Sequence, residues 1–516
     1  MTMVLQPRPW AALALLLLLA TAGHGAEFAA PPSQQSAAAL HADLVAGRRS
    51  AENVTRHFLA RIAAMDGRYR SVIAVAPDAV EQARRLDRHR AAGKPLGRLH
   101  GIPVLLKDNI ESRELPTTAG SLLLADNWTG RDAPLVAALR RQGAVILGKT
   151  NLSEWANFRS TRSSSGWSGV RGQTGNAVDP ARNPCGSSSG SGTAAALAFA
   201  PLTVGTETNG SIVCPATING VVGFKPTVGL VSRKGVVPIS PSQDTAGPMA
   251  RTVLDAALGL AAMVSPDADD PMAALAQGVV VPGQFEAADL MTLRVGVLRS
   301  ATGYHDGVDA LFDAAVAALG AGGATIIDDL AFDPPDGFGQ HTFRILLNEF
   351  RTTMDAYLAT LPGEPGGWTI EDLIAGNERL AADELRWFGQ ELLLQAADAP
   401  GMDDDDYGES LVLARRVTRE EGIDRMLEAH DLDVIIAPTR GPAWMTDLVN
   451  GDHFGGGFST YPAVAGYPHL TLPMGRVHGL PVGLSVFAGA GSDFAVLAAG
   501  MAIEGTGVGA AAWPEP

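Results

Sequence analysis

Three short stretches carry residue types that could act on a carbonyl group. Residues 184–192 read PCGSSSGSG and set Ser187 among small, turn-forming neighbours. Residues 205–216 read GTETNGSIVCPA and place Ser211 24 positions after Ser187. Residues 101–110, GIPVLLKDNI, end a hydrophobic run on Lys107, 80 positions before Ser187. A serine hydroxyl is a weak nucleophile until a neighbouring base removes its proton. A lysine at the end of a buried strand is unusual, because burying an ammonium is costly unless it is paired or neutral. Taken alone, Lys107 has a plainer reading as the ion-pair partner of adjacent Asp108.

Two other motifs compete. Gly143-Ala144-Val145-Ile146-Leu147-Gly148-Lys149-Thr150 spells GxxxxGK[ST], the pattern of a phosphate-binding loop. That loop needs a strand before it and a helix after it, with its amides free. Here a helical pattern precedes, and Ala-Val-Ile-Leu favours a strand, so nucleotide binding is not expected. Gly186-Ser187-Ser188-Ser189-Gly190 spells GxSxG, which would make Ser188 the nucleophile of an α/β-hydrolase. That elbow follows a strand. NAVDPARNPC before it reads as turns, although downstream histidines (His430, His453, His469, His478) keep the reading open.

The elements that must position these residues alternate. Apolar spacing predicts helices over 50–64, APLVAALRRQG, and near 251–264, 307–320, 341–360 and 493–504. Strands are expected at IPVLL (102–106), AVIL (144–147), LRVGVL, DVIIAP and GLSVF. Asp78-Ala79-Val80-Glu81 reads as a capping box. The alternation implies an α/β protein with helices covering a central sheet. PCGSSSGSG runs straight into the helix former TAAALAFA, so it is not a flexible spacer.

The 516 residues are 46% hydrophobic, enough for a large core, and the net charge of −16 disfavours a nucleic-acid partner. The acidic run Asp403–Asp406 lacks spaced ligands and a turn glycine, and reads as a solvated loop rather than a cation site. Arg8 followed by WAALALLLLLATAG reads as a secretory signal over residues 1–26, with small-residue cleavage sites at Ala20-Thr21-Ala22 or Gly23-His24-Gly25. An uncleaved anchor is the alternative. Periplasmic or secreted export is therefore expected, with no stable membrane insertion after signal removal. Cys185 and Cys214 are expected as two buried free thiols, although export permits a bridge between them.

Together the blocks resemble the amidase signature family, serine hydrolases with a Ser–Ser–Lys triad. GIPVLLKDNI, GAVILGKTNLSEWAN, NPCGSSSGSG, GTETNGSIVCPATINGVVGFKPTVGLVSRKGVVPIS, SQDTAGPMARTVLDAA and GLPVGLSVFAGAGSDFAVLAAGMAIE are similar to family segments in order and spacing. The resemblance implies one amidase domain over residues 27–516, built on a mixed sheet. It implies Ser211 as nucleophile, Ser187 as relay behind a cis peptide bond, and Lys107 as neutral base. That requires a lysine pKa lowered by roughly 3 units from its usual ~10.4. It implies an oxyanion hole from the backbone amides of Thr208, Asn209, Gly210 and Ser211, and neither cofactor nor metal. Asn209 stands where the family often has glycine. CGSSSGS with GTETNGSIVCPA is most similar to bacterial peptide amidases, which remove C-terminal amides of peptides. Other small, aryl or fatty amides are the alternative substrates. Family relatives also serve within tRNA-dependent amidotransferases, a cytoplasmic role at odds with the signal-like start. The sequence indicates no oligomeric state.

Overall fold

Eleven strands form one mixed sheet in the computed structural model, which describes residues 30–362 and 367–510. In chain order they are β1 (Val72–Val75), β2 (Pro103–Lys107), β3 (Val145–Thr150), β4 (Leu202–Glu207), β5 (Val222–Lys225), β6 (Thr245–Ala250), β7 (Arg294–Leu298), β8 (Thr325–Leu330), β9 (Val434–Pro438), β10 (His469–Val477) and β11 (Leu480–Phe487). Their spatial order is β1-β3-β2-β4-β6-β5-β10-β11-β9-β7-β8. The signal-like residues 1–26 lie outside the described residues. Among the described residues no helix is long and apolar enough to cross a membrane.

β2 pairs in parallel with both β3 and β4, and β7 with both β8 and β9; the remaining pairings are antiparallel. Helices connect the strands, as in Pro134–Arg141, Val253–Met263, Asp306–Ala321 and Phe338–Leu358, and flank them at either end, as in Ala51–Tyr69 before β1 and Asp493–Gly505 after β11. The core strands β2, β3, β4, β9 and β11 are buried along their whole length, which explains the apolar runs PVLL in β2 and VIIAP in β9. The edges are blunted. β1 is only four residues long, and the opposite edge β8 carries Asp328 and Asp329.

Three local expectations are corrected. Asp78 does precede the helix Ala79–Ala91, but its side chain accepts from Gln82 Nε2 at 2.7 Å and caps no amide. The run Asp403–Asp406 is not all loop, for Asp404 accepts from the Tyr407 amide at 3.1 Å and starts the helix Asp405–Thr418. Cys185 and Cys214 are not free thiols: they form a disulfide with Cα atoms 6.0 Å apart. The two segments run side by side through backbone contacts, which brings the cysteines within bridging range.

Candidate active site

Lys107 is the last residue of β2, and its parallel neighbour β4 ends at Glu207. The C-terminal ends of adjacent parallel strands are where α/β sheets present their ligand sites. Lys107 is fully buried, and its Nζ lies 2.7 Å from Ser187 Oγ, 2.8 Å from Thr206 Oγ1 and 3.3 Å from Thr206 O. No carboxylate reaches it among the described residues. Asp108 instead pairs with Lys149 on β3, at 3.1 Å. The two lysines sit on adjoining strands, yet only Lys149 has a counter-ion. Burial lowers the Lys107 pKa from 10.5 to about 7, against a weaker opposing pull from Asp244 and Glu207. A neutral amine has two N–H bonds and one lone pair. The two threonine oxygens can take the N–H bonds, which leaves the lone pair for the Ser187 hydroxyl.

Ser187 is wedged between two chain segments. Its carbonyl accepts from the Ser153 amide at 3.0 Å, and the next amide, of Ser188, donates to the Ser211 carbonyl at 3.1 Å. The Gly186–Ser187 peptide bond is cis. The helix Ser189–Ala196 follows at once, and the glycines of PCGSSSGSG permit its close approach. A Cβ on Gly190 would collide with the carbonyls of Ser71 and Asn151. One on Gly186 would collide with Ser153 Oγ. Ser191 Oγ donates to Val204 O at 3.0 Å and pairs with Thr150 Oγ1 at 2.7 Å, pinning the helix to β3 and β4.

Ser211 sits in the turn between β4 and the helix Val213–Asn219, and it is partly exposed while Ser187 and Lys107 are not. Glu207 shapes that turn. Its carboxylate accepts from the amides of Gly210 (2.8 Å), Ile212 (2.7 Å) and Val213 (3.0 Å), satisfying donors the helix start would leave unpaired. Gly210, at φ 83°, is the residue that lets the chain reverse. This corrects one expectation: the Gly210 amide is committed to Glu207 and is not available to an oxyanion. Among the described residues no protein acceptor takes the amides of Thr208, Asn209 or Ser211. Thr208 is braced by Asp244 (Oγ1 to Oδ1, 2.5 Å) and by Gln243 Nε2 at its carbonyl (3.1 Å). Asn209 accepts from Ser459 Oγ at 2.7 Å and donates to Thr460 Oγ1 at 3.2 Å. The Cys185–Cys214 bridge joins the Ser187 segment to the Ser211 segment.

The competing motifs do not form sites. Ser188 is fully buried, and its hydroxyl is absorbed by Thr206, donating to the carbonyl at 2.9 Å and accepting from the amide at 3.1 Å. Among the described residues no strand runs directly into it. Residues 145–150 of GAVILGKT are a fully buried strand, and Lys149 is locked to Asp108.

A family model described as Amidase matches residues 53–497. The chain belongs to the amidase signature family. This amidase is similar to the crystal structure of native peptide amidase from Stenotrophomonas maltophilia, with 44% identity and a TM-score of 0.88 over 93% of this chain and 98% of that one. It is 37% identical to a putative amidase of Arthroderma benhamiae, over 82% of this chain and 70% of that protein. It is also 36% identical to a probable amidase of Arabidopsis thaliana, over 85% of this chain and 83% of that protein. A component of the glutamyl-tRNA(Gln) amidotransferase of Thermobifida fusca is 34% identical, over 91% and 95%. The amidase is thus a hydrolase of carbon–nitrogen bonds on an α/β fold. The structure brings Lys107 and Ser187, both singled out in the sequence, into contact, and adds Thr206 and Glu207, which the sequence reading did not single out. Glu207 left a signal, as an acid just ahead of a helix start. Thr206 left none, because its contact with Lys107 depends on the register of β2 against β4.

Proposed function

We propose that this amidase hydrolyses the C-terminal carboxamide of peptides through an acyl-enzyme on Ser211, after export directed by its N-terminal segment. Ser211 Oγ attacks the amide carbonyl carbon while its proton passes to Ser187 Oγ, and the Ser187 proton passes to Lys107 Nζ. Charge on the carbonyl oxygen is met by the unclaimed amides among Thr208, Asn209 and Ser211. The relay then returns a proton to the leaving nitrogen, the C–N bond breaks, and ammonia departs. Water attacks the ester by the same route and frees the acid.

The observation that carries this reading is the 2.7 Å contact between Ser187 Oγ and a buried lysine without a carboxylate partner. The choice of peptide amides is supported by 44% identity to a protein described as a peptide amidase over nearly its full length. The test is ammonia release from a C-terminally amidated dipeptide, set against the corresponding anilide and a fatty amide. Preference for the dipeptide amide supports the assignment. Turnover of the anilide or fatty amide alone would move the enzyme to another amide class.

A further inference from the structure

The relay needs two hydroxyls in register, and the halves that carry them come from separate segments. Lys107 and Ser187 form one half, joined at 2.7 Å. Ser211 forms the other, in the turn ahead of the helix Val213–Asn219. Among the described residues no hydrogen bond joins the Ser187 and Ser211 hydroxyls, so the frame around them sets their separation. Hydrogen bonds cross between the segments at both ends of that frame. The Ser188 amide donates to the Ser211 carbonyl at 3.1 Å, and Asn219 Nδ2 donates to the Pro184 carbonyl at 3.1 Å. The Cys185–Cys214 bridge falls between these two ties along both segments.

The bridge is close to the chemistry. Cys185 stands two residues before Ser187 and Cys214 three after Ser211, and the Cys214 amide donates to the Gly210 carbonyl at 2.9 Å. Both sulfurs are buried among apolar neighbours that include Ile218 and Ala443. Cys185 also has φ 56°, a left-handed conformation that is costly for a residue with a Cβ and persists only where its surroundings impose it. Its amide donates to Asn183 Oδ1 at 2.8 Å, and its side chain is fixed to Cys214. Without the bridge the side chain is released, and Cys185 can turn to an ordinary negative φ. That rotation swings the chain leading into Ser187, while Ser211 stays with its own helix.

We propose that the Cys185–Cys214 bridge is a positioning element of the catalytic relay: it holds the left-handed turn at Cys185 and so keeps Ser187 in register with Ser211. The proposal rests on the Ser–Ser–Lys reading above. A cross-link that only stabilises the fold raises resistance to unfolding and leaves the rate of the folded enzyme alone. A positioning cross-link acts on the rate itself, because misplacing reacting groups by about 1 Å costs on the order of a hundredfold.

The experiment compares wild-type protein with two bridge-free doubles, Cys185→Ala with Cys214→Ala and Cys185→Gly with Cys214→Ala, each well below its melting temperature. The first readout is the second-order rate of Ser211 labelling by a fluorophosphonate, which needs the relay but no particular amide. The second is kcat and KM on an amide. The alanine double should label and turn over at least about tenfold more slowly, with KM little changed. Its rate should still rise through about pH 7, because burial of Lys107 sets that midpoint. Glycine takes the left-handed turn without penalty, so the glycine double should recover several-fold of the loss, although it is no more cross-linked. Cys185→Ser with Cys214→Ser replaces the alanine double if that protein does not fold. Folded doubles that label and turn over at the wild-type rate would overturn the proposal, leaving the bridge as a staple of the fold. Equal losses in the glycine double and its comparator would also overturn it, since the turn at Cys185 would then not be what the bridge holds. Wild-type protein that fails to label at Ser211 would instead strike the serine reading, so the two failures are distinct.

Discussion

Lys107 sets both the pH dependence of the rate and part of the pH dependence of stability, and the two can be read from one pair of proteins. Burial brings its pKa from 10.5 down to about 7 in the folded chain. As general base it acts only when neutral, so kcat/KM should rise through about pH 7 and hold above it. The stability effect follows by linkage. Below about 7 the lysine is charged in both states, and the folded state bears the full cost of burying that charge. Between about 7 and 10.5 the unfolded chain binds a proton that the folded chain does not, so stability rises with pH across this window. Each unit is worth up to about 1.4 kcal/mol, and the whole window on the order of 5 kcal/mol. Lys107→Met lacks this group. Relative to wild type it should be most favoured below about pH 7, and its advantage should shrink steadily towards 10.5. The hydrogen bonds lost to Ser187 and Thr206 shift that difference by a constant and leave its slope alone. Urea unfolding of both proteins at a series of pH values supplies the curves, and initial rates on an amide supply the profile. Parallel stability curves, or a rate that climbs only near 10.5, would show that the folded protein keeps Lys107 charged.

Lys107→Arg should fold yet lose several orders of magnitude in rate, since a guanidinium cannot deprotonate near neutral pH; amide hydrolysis with a melting curve checks both halves. Replacing Cys185 and Cys214 by serine opens a cross-link spanning 29 residues, and should cost roughly 3 kcal/mol in denaturant unfolding. Ser188→Ala should retain appreciable activity while losing about 1–2 kcal/mol of stability, because its hydroxyl bonds only to the Thr206 backbone. ATP or GTP should not shift the melting temperature, because GAVILGKT is a buried strand with Lys149 already paired; a clear rise would contradict that.

Much of the fold was legible because its central strands are buried on both faces. PVLLK and VIIAP read as continuous apolar runs, and the helices between them keep a 3.6-residue period. Element ends were less legible. The helix read as 50–64 runs on to Tyr69, because its last turn alternates polar residues with Met65 and the buried Asp66. Asp66 is inside because it accepts from Ser71 and Val72, contacts across a turn that periodicity does not register. The site divides in the same way. Ser187, Ser211 and Lys107 stand out by residue type in small-residue or apolar surroundings. The partners that tune them, Thr206 and Glu207, are ordinary polar residues whose importance appears only with strand register and turn geometry. The disulfide was misread for a related reason: a separation of 29 residues says nothing about whether two Cβ atoms converge.

The central claim is that Ser211, and not Ser188, carries the acyl group. Intact-mass and peptide mapping of protein treated with a fluorophosphonate tests it directly. One adduct is expected, on the peptide containing Ser211; it should be absent from Ser211→Ala and present in Ser188→Ala. An adduct on Ser188, or undiminished labelling and turnover in Ser211→Ala, would contradict the Ser–Ser–Lys account.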